Sequence, residues 1–470
     1  MISIDILPDD VLLEIFHFHL DEVSNDHNHE KEAMEAWQSL VHVCWRWRSV
    51  VFGSPRRLDL RLVFTAKAPA KDTLDVWPAL PLVIQDYHCG TGSMDNVIAL
   101  LERSDLVRRT IGINLWDVPS LQLQVISEAM QVPFPELTYL VLYRSDKTEP
   151  VPPFPDSFLG GFAPRLKFLV LRHIPYLGLP KLLLSATHLT HLQLYSIPHS
   201  GYISPEALVV CLSTLAGLEG LALGFESPRS RPDWKCQRPP LPTRVIFPVL
   251  RGLEFTGVGE YLEHLVARID APRVRGMQIT LFNDIIFVTP QLTRFISHTP
   301  RLEAFNEAKV NLGYDIAGIK LSSGINPTPG YRELRMSISC RELDWQISFL
   351  EEVCTSSLPL LSTKDLYMSG RPWPHDWRDN IDYAQWMGLL QSFTAVKNLY
   401  LSKELAPCVV PVLQELVGGR TTEAFPTLQN IFLEELQESG PVQEDIGKLV
   451  TARQVTSHPI AVSRWDRDSH

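Results

Sequence analysis

The 470-residue sequence lacks the short signatures that usually announce chemistry: it has no C-x-x-C pair, no H-E-x-x-H, no G-x-S-x-G and no glycine-rich phosphate loop. Zinc-site, serine-hydrolase and nucleotide-phosphate readings lose their usual support, and an enzyme is not expected. Cysteine is sparse, with seven residues scattered without close pairs, which suits a reducing compartment better than a disulfide scaffold. His27, His29 and Glu30 come nearest to a metal set, but a polar loop offers them no fixed geometry. His88 beside Cys89 is no better, so neither metal nor cofactor is expected. No apolar run approaches the length of a membrane span, and the opening Met1-Ile2-Ser3-Ile4-Asp5 is too acidic for a secretory leader. An excess of basic charge is missing too: the formal net charge of -11 disfavours nonspecific nucleic-acid binding. The expected location is the cytoplasm, the nucleus or both.

What the sequence does contain is concentrated first at its N-terminus. Leu7-Pro8-Asp9-Asp10 opens a helix, with a proline suited to the first turn and two acids at the positive end of the helix dipole. Val11, Leu12, Ile15 and Phe16 then form an apolar face. After an acidic polar gap from about Asp21 to Glu35, Trp37, Leu40, Cys44, Trp47 and Val51 recur at spacings of three and four, flanked by Val43 and Val50. Charge is segregated as well: Lys31 is the one Lys or Arg from Met1 to Ala36 among ten acids, whereas Arg46, Arg48, Arg56, Arg57 and Arg61 follow. Two helical stretches this short bury little between themselves and predict a partner's surface, the blander alternative being the cap of a larger domain.

At Ile6-Leu7-Pro8, Val11 to Phe16 and Leu40 to Arg48 the segment resembles the F-box, the helical domain through which substrate adaptors bind the Skp-type linker of cullin-RING ubiquitin ligases. The resemblance covers about the first 60 residues, and the long polar gap departs from the family's usual pattern. It implies a Skp-type linker, and through it a cullin, as partners. The contact residues it implies are Leu7, Pro8, Val11, Leu12, Ile15 and Phe16 from the first helix, with Trp37, Leu40, Val43, Cys44 and Trp47 from the second.

The rest of the chain repeats the pattern L-x-x-L-x-L. Its middle apolar position falls at 140, 169, 192, 221, 253, 277, 305, 334, 366, 399 and 431, in steps of 23 to 33 residues, with a poorer copy around Leu302 and Phe305. That period belongs to a leucine-rich-repeat solenoid, an α/β fold with a curved parallel sheet and helices on the convex side. Helix signals lie between the strands. Ser204-Pro205-Glu206 supplies a cap, a first-turn proline and an acid ahead of Leu208, Val209, Leu212 and Leu215, and Leu262 to Ile269, Leu292 to Ile296 and Val409 to Leu416 follow suit. The alternative is an ordinary α/β domain with leucine-rich strands.

In such a sheet the residues between the buried leucines face outward. The early repeats present Tyr139, Tyr143, Phe168, Arg172, His191 and Tyr195, together with Val141, Val170 and Gln193. Gly220, Ala222, Gly252, Glu254 and Gln278 follow, and aromatics return at Tyr367, Tyr400 and Phe432. Exposed tyrosines beside arginine carry binding energy in protein interfaces, which makes these two groups the expected contacts for an unknown protein target unless loops or end caps cover them. Proline- and tryptophan-rich insertions at 228–242 and 371–377, and a shorter proline-rich loop at 149–155, offer a second rim or merely stiffen the connections.

The expected organisation is an F-box at 1–62, irregular repeats at 63–132, the solenoid at 133–438 and a C-terminal cap at 439–470. An F-box joined to leucine-rich repeats resembles the layout of SCF substrate receptors in the expanded F-box families of mushroom-forming fungi. That implies a non-catalytic adaptor that raises the concentration of target lysines near a ubiquitin-conjugating enzyme. The alternative is a leucine-rich-repeat scaffold that binds proteins without ubiquitin transfer.

Overall fold

The computed structural model describes residues 6–24, 36–65, 74, 76–87, 94–145, 153–231, 244–282, 289–323, 332–371, 383–415, 425–435, 440–455 and 459–466. The His27–Glu30 set, the His88-Cys89 pair and most of the three proline-rich insertions lie outside the described residues. The chain forms two compact units, Met1–Tyr202 and Ile203–His470. This division falls inside the stretch expected as continuous repeats.

The first unit opens with α1 (Asp9–Ser24), α2 (Trp37–Val41) and α3 (Trp45–Gly53). The expected single stripe from Trp37 to Val51 is broken into two helices. Cys44 takes an extended conformation, and its Sγ accepts the Trp47 amide at 3.5 Å, so the chain stops and restarts its helix there. Six strands follow: β1 (Leu62–Phe64), β2 (Leu82–Asp86), β3 (Thr110–Val118), β4 (Tyr139–Arg144), β5 (Phe168–Arg172) and β6 (His191–Ile197). They pair in chain order and all in parallel. Residues expected as irregular, near 82–84 and 111–113, thus join the same ladder as the later repeats. Leu140, Leu169 and Leu192 align directly and are fully buried. Each such side chain contributes about 1.5–3 kcal/mol on burial. A helix forms over Ser120–Ala129, with Leu123, Ile126 and Met130 in the core.

The second unit contains β7 (Gly220–Phe225), β8 (Val245–Ile246), β9 (Gly252–Gly257), β10 (Ile269–Asp270), β11 (Gly276–Phe282), β12 (Glu307–Leu312), β13 (Ala317–Ser322), β14 (Glu333–Ser339), β15 (Asp365–Gly370), β16 (Asn398–Leu401), β17 (Asn430–Leu433) and β18 (Ala461–Arg464). Ten of them make one sheet in the order β7-β9-β11-β14-β13-β12-β15-β16-β17-β18, while β8 and β10 form a separate two-stranded ladder. The expected capped helix is present at Pro205–Leu212, where Ser204 Oγ accepts the Ala207 amide at 3.2 Å. Within the stretch expected as a C-terminal cap a helix forms at Pro441–Val455, and β18 after it adds a further parallel strand beside β17.

One expectation fails here: the sheet is not wholly parallel. Among the described residues no helix separates β12, β13 and β14, which form an antiparallel meander. The turn between the first two is closed by the Gly313 amide bonding Ile316 O at 3.0 Å, and a Cβ on Gly313 would stand 2.7 Å from that same oxygen. The copy expected at Phe305 has Ala308 instead in line with Leu366, and the strand that carries it exchanges places with the copy at 334. β14 becomes the parallel neighbour of β11, and β12 that of β15. The 14-residue helix Leu343–Ser356 carries the chain from β14 to β15, past the two strands the meander inserts. Among the described residues no helix is long and apolar enough to cross a membrane.

Candidate functional site

Two kinds of surface emerge: the N-terminal helices, and the open sheet face in each unit. In α1 the expected single apolar face is two faces. Leu12, Leu13, Phe16 and Leu20 are buried, whereas Val11, Ile15 and Phe18 are 39%, 43% and 72% exposed. The spacings explain the split: 11, 15 and 18 follow i, i+4, i+7, a stripe of their own beside the one through 12, 16 and 20.

The inner stripe is fixed by its neighbours. Phe16 meets the Trp47 ring with centroids 4.7 Å apart, and Trp37 is buried with its indole N–H donating to Arg61 O at 3.0 Å. Leu40 is also buried, and Cys44 and Trp47 are half-buried. Trp77, which the spacing did not single out, closes an aromatic cluster with Trp37, His42 and Phe52. Arg46 donates to Asp9 at 2.8 Å and to Leu7 O, holding the start of α3 against the start of α1. Arg57 pairs with Glu14 in the same way. The segregated charges of the sequence are therefore used inside the module.

The predicted contact residues separate accordingly. Leu12, Phe16, Trp37 and Leu40 hold the module together. Pro8, Val11, Ile15 and Val43 are exposed, and Leu7 is half-buried. The largest exposed apolar group here, Trp45 at 80%, went unnoticed because the broken stripe placed Trp47 at the centre; counting from a cap at Cys44 turns Trp45 outward.

On the open face of the first unit, Tyr139, Phe168 and His191 occupy one register row, and Tyr143, Arg172 and Tyr195 another. The structure thus brings the first predicted group together. Phe168, 43% exposed, stacks on His191 at 4.6 Å and 12°. Trp116 lies 4.1 Å from Tyr143 and 6.0 Å from Tyr87, and the Arg172 guanidinium lies over the Tyr143 ring at 5.6 Å. Burial raises the Tyr143 phenol above its ordinary pKa, with Arg172 opposing the shift. A Cβ on Gly112 would overlap the Tyr139 ring, so glycine is what lets that ring lie across the sheet. Val170, expected to face outward for contact, is buried among these larger neighbours.

On the open face of the second unit, the predicted Tyr367, Tyr400 and Phe432 form a ladder, with centroids 4.2 and 4.5 Å apart and planes within 9°. Trp465 lies 5.9 Å from Tyr367 and 5.6 Å from Tyr400, so the chain's end covers part of the group. Burial is the main cause that raises both tyrosine phenols. The rows beside the rings are polar. Asn430 donates to Asn398 and Asn398 to Asp365, each at 2.7 Å, while Lys309 pairs with Glu307 at 3.2 Å and Lys320 with Glu333 at 3.0 Å. Ala222, expected outward, is buried. Among the described residues no three His, Cys, Asp or Glu side chains gather as metal ligands.

No protein-family model matches the sequence, and no curated protein matches it. Among solved structures, the leucine-rich repeat-containing protein LegL7 from Legionella pneumophila is similar at a TM-score of 0.30 and 12% identity, over 83% of this chain and 97% of that one. A TLR13–ssRNA13 complex is similar at 0.31 and 12%, over 84% of this chain and 47% of that one, so the match spans about half of the TLR13 chain. At these scores the likenesses carry no argument, and the leucine-rich-repeat character rests on the aligned, buried leucines of the strands themselves.

Proposed function

We propose that the protein is a substrate-recruiting adaptor of an SCF-type cullin-RING ubiquitin ligase, with the N-terminal helices binding a Skp-type linker and the open sheet faces binding a target protein. The observation that carries this reading is the second apolar stripe of α1. Val11, Ile15 and Phe18 stand in water although the inner stripe already fills the module's core, and Val43 and Trp45 are exposed at the turn into α3. Burying a side chain of this size in a partner contributes about 1.5–3 kcal/mol. A module this small with that much exposed apolar surface fits a docking role. The motif residues that resemble the F-box supply the identity of the partner. No chemistry is assigned to this chain in that role: the target is held near a conjugating enzyme carried elsewhere in the complex.

The test is co-purification with a recombinant Skp-type linker. Ile15→Glu combined with Phe18→Glu is expected to abolish binding while circular dichroism stays native, because both side chains point away from the core. Undiminished binding by that variant, or no binding by the native chain, overturns the reading. A chain that binds the linker yet supports no ubiquitination of a captured partner is a scaffold instead.

A further inference from the structure

In the first unit one row of outward side chains crosses the sheet from β2 to β6 as Tyr87, Trp116, Tyr143, Arg172 and Tyr195. Tyr87 follows β2 and meets Trp116 at 6.0 Å, and Trp116 meets Tyr143 at 4.1 Å across the bulge in β3. The register then places Arg172 beside Tyr143 and Tyr195 beside Arg172. Tyr87 and Arg172 are exposed, and Trp116, Tyr143 and Tyr195 are half-buried. Residues two positions earlier hold the rings: Gln85 donates to the Tyr87 hydroxyl, and the Trp116 indole N–H donates to Asn114 at 2.6 Å. The planes at the two ring contacts are tilted by 57° and 52°, so these rings do not close into one stack as Tyr367, Tyr400 and Phe432 do. Charge is scarce on this face. Arg172 is the exposed Arg or Lys of β2 to β6; it lies over Tyr143, and among the described residues no carboxylate pairs with it. The acids of these strands are Asp86, which is buried, and Asp117, which is exposed in the bulge next to Trp116.

We propose that this row binds a proline-rich segment of a partner protein in the polyproline II conformation, with a carboxylate of that segment at Arg172. Strands lie about 4.8 Å apart, so Tyr87, Tyr143 and Tyr195, each two strands from the next, recur about every 9.6 Å. A polyproline II helix rises about 3.1 Å per residue with three residues per turn, so its same-face residues recur about every 9.3 Å. Three successive ones therefore stay in step with the three tyrosines to within about 0.6 Å. An extended strand, whose same-face residues recur about every 6.7 Å, matches neither one strand interval nor two. Aromatic-lined surfaces are what such segments dock on, because the helix is preformed and loses little entropy. Arg172 lies one strand beyond Tyr143, so it meets the residue one or two places past the proline on Tyr143. Charge complementarity makes that residue Asp or Glu, and Asp117 keeps acid away from the part of the segment that crosses β3. The proposal rests on the adaptor reading only in taking the sheet as the target-binding part; it does not depend on the linker.

The experiment is fluorescence anisotropy with the full chain and a labelled peptide centred on Pro-Ala-Ala-Pro-Glu-Glu-Pro, made in both chain orders. Matched peptides carry Ala for Pro, Gln for Glu or Lys for Glu, and an oligouridine stands for single-stranded nucleic acid. One order of the parent peptide is expected to bind, and loss of its prolines should weaken binding at least about tenfold. Tyr143→Ala should weaken it by a similar factor, whereas Trp45→Ala in the N-terminal helices should leave it unchanged. Arg172→Glu alters an exposed side chain and should exchange the preference from the Glu peptide to the Lys peptide. Matching thermal melts establish that the variants fold. The proposal is overturned by no binding in either order, by equal binding of the alanine or the glutamine peptide, by an unchanged preference in Arg172→Glu, or by preference for the oligouridine. It is also overturned if Tyr143→Ala dissolves a dimer of the native chain, which gives the row to a second copy. Binding that appears only with Pro150→Ala, Pro152→Ala and Pro153→Ala would give it to the chain's own loop instead. Linker co-purification of the same preparation is read separately. Its failure with peptide binding intact removes the adaptor reading alone, and the converse removes this proposal alone.

Discussion

The same residue type does different work on the two open sheet faces. In the first unit, aromatic side chains between the strand leucines meet in small groups and leave surface in water, as Phe168 does while it stacks on His191. In the second, Tyr367, Tyr400 and Phe432 stack in series across three strands and Trp465 meets their edges. A tyrosine at the outward position of a repeat therefore has two fates. It can remain partly in water, as in the first unit, or join a series of rings stacked across successive strands, as in the second. The distinction bears on function, because residues that stabilise the sheet are poor candidates for target-specific contact, and the exposed aromatic face of the first unit becomes the better one.

The comparison breaks most directly by removing one ring from each face. Tyr400→Ala removes two stacked neighbours and the contact with Trp465, and is expected to cost about 3 kcal/mol of stability. Phe168→Ala removes one stack from a partly exposed site and should cost about 1 kcal/mol. Urea titrations of the two variants measure the difference. Equal losses would mean that the second face is no more a spine than the first.

A second contrast is strand order: chain order throughout the first unit, and a meander in the second. Gln346 anchors that departure. It is fully buried, and its amide donates to Gly313 O at 2.8 Å and Cys340 O at 2.7 Å, tying the turn of the meander and the end of β14 to the helix that leads to β15. Gln346→Leu keeps the volume and strips both carbonyls of their donor, which should cost about 2 kcal/mol. Hydrogen exchange should localise the loss to residues 307–339, and uniform loss across the second unit would show that the meander is not separately held.

These contrasts also mark what could be read from the sequence. Leucines at 140, 169 and 192 align in the sheet because each is the buried middle position of its strand, although the steps between them differ. The meander was hidden because periodicity says which residues are strand but not which strand is the neighbour. The one clue was that the stretch from Phe305 to Leu334 carries the Gly313-Tyr314-Asp315 turn and no helical pattern. In the candidate docking module the helices and most of the core were legible, but the direction of individual side chains was not. Val11 and Ile15 were grouped with Leu12 and Phe16 because a count of apolar residues does not distinguish an inward stripe from an outward one. The cap at Cys44 resets the helical phase, which exchanged the roles of Trp45 and Trp47.

The smallest expected effect is a pH dependence of opposite sense in the two units. Asp105, in the first, accepts from the Arg103 guanidinium at 2.9 Å, which holds its carboxyl below the ordinary carboxylate range. Glu263, in the second, is pushed up by burial, although its oxygens accept the Gln291 and Leu292 amides at 2.9 and 2.8 Å. A carboxyl lowered by folding stabilises above its unfolded pKa, and that stability is lost only as pH falls through the lower folded value. Asp105 should therefore still contribute at about pH 5. For Glu263 the folded state holds the proton more tightly than the unfolded one. Its contribution grows as pH falls through the raised folded value, is complete below the unfolded value, and vanishes again as pH rises. Glu263→Gln, which keeps an oxygen for one of the amides but cannot titrate, should flatten the change in thermal midpoint between about pH 7 and pH 5, while Asp105→Asn should leave that window unaltered. If the Glu263→Gln chain tracks the native one across the window, the buried carboxyl is not what gives the second unit its pH response.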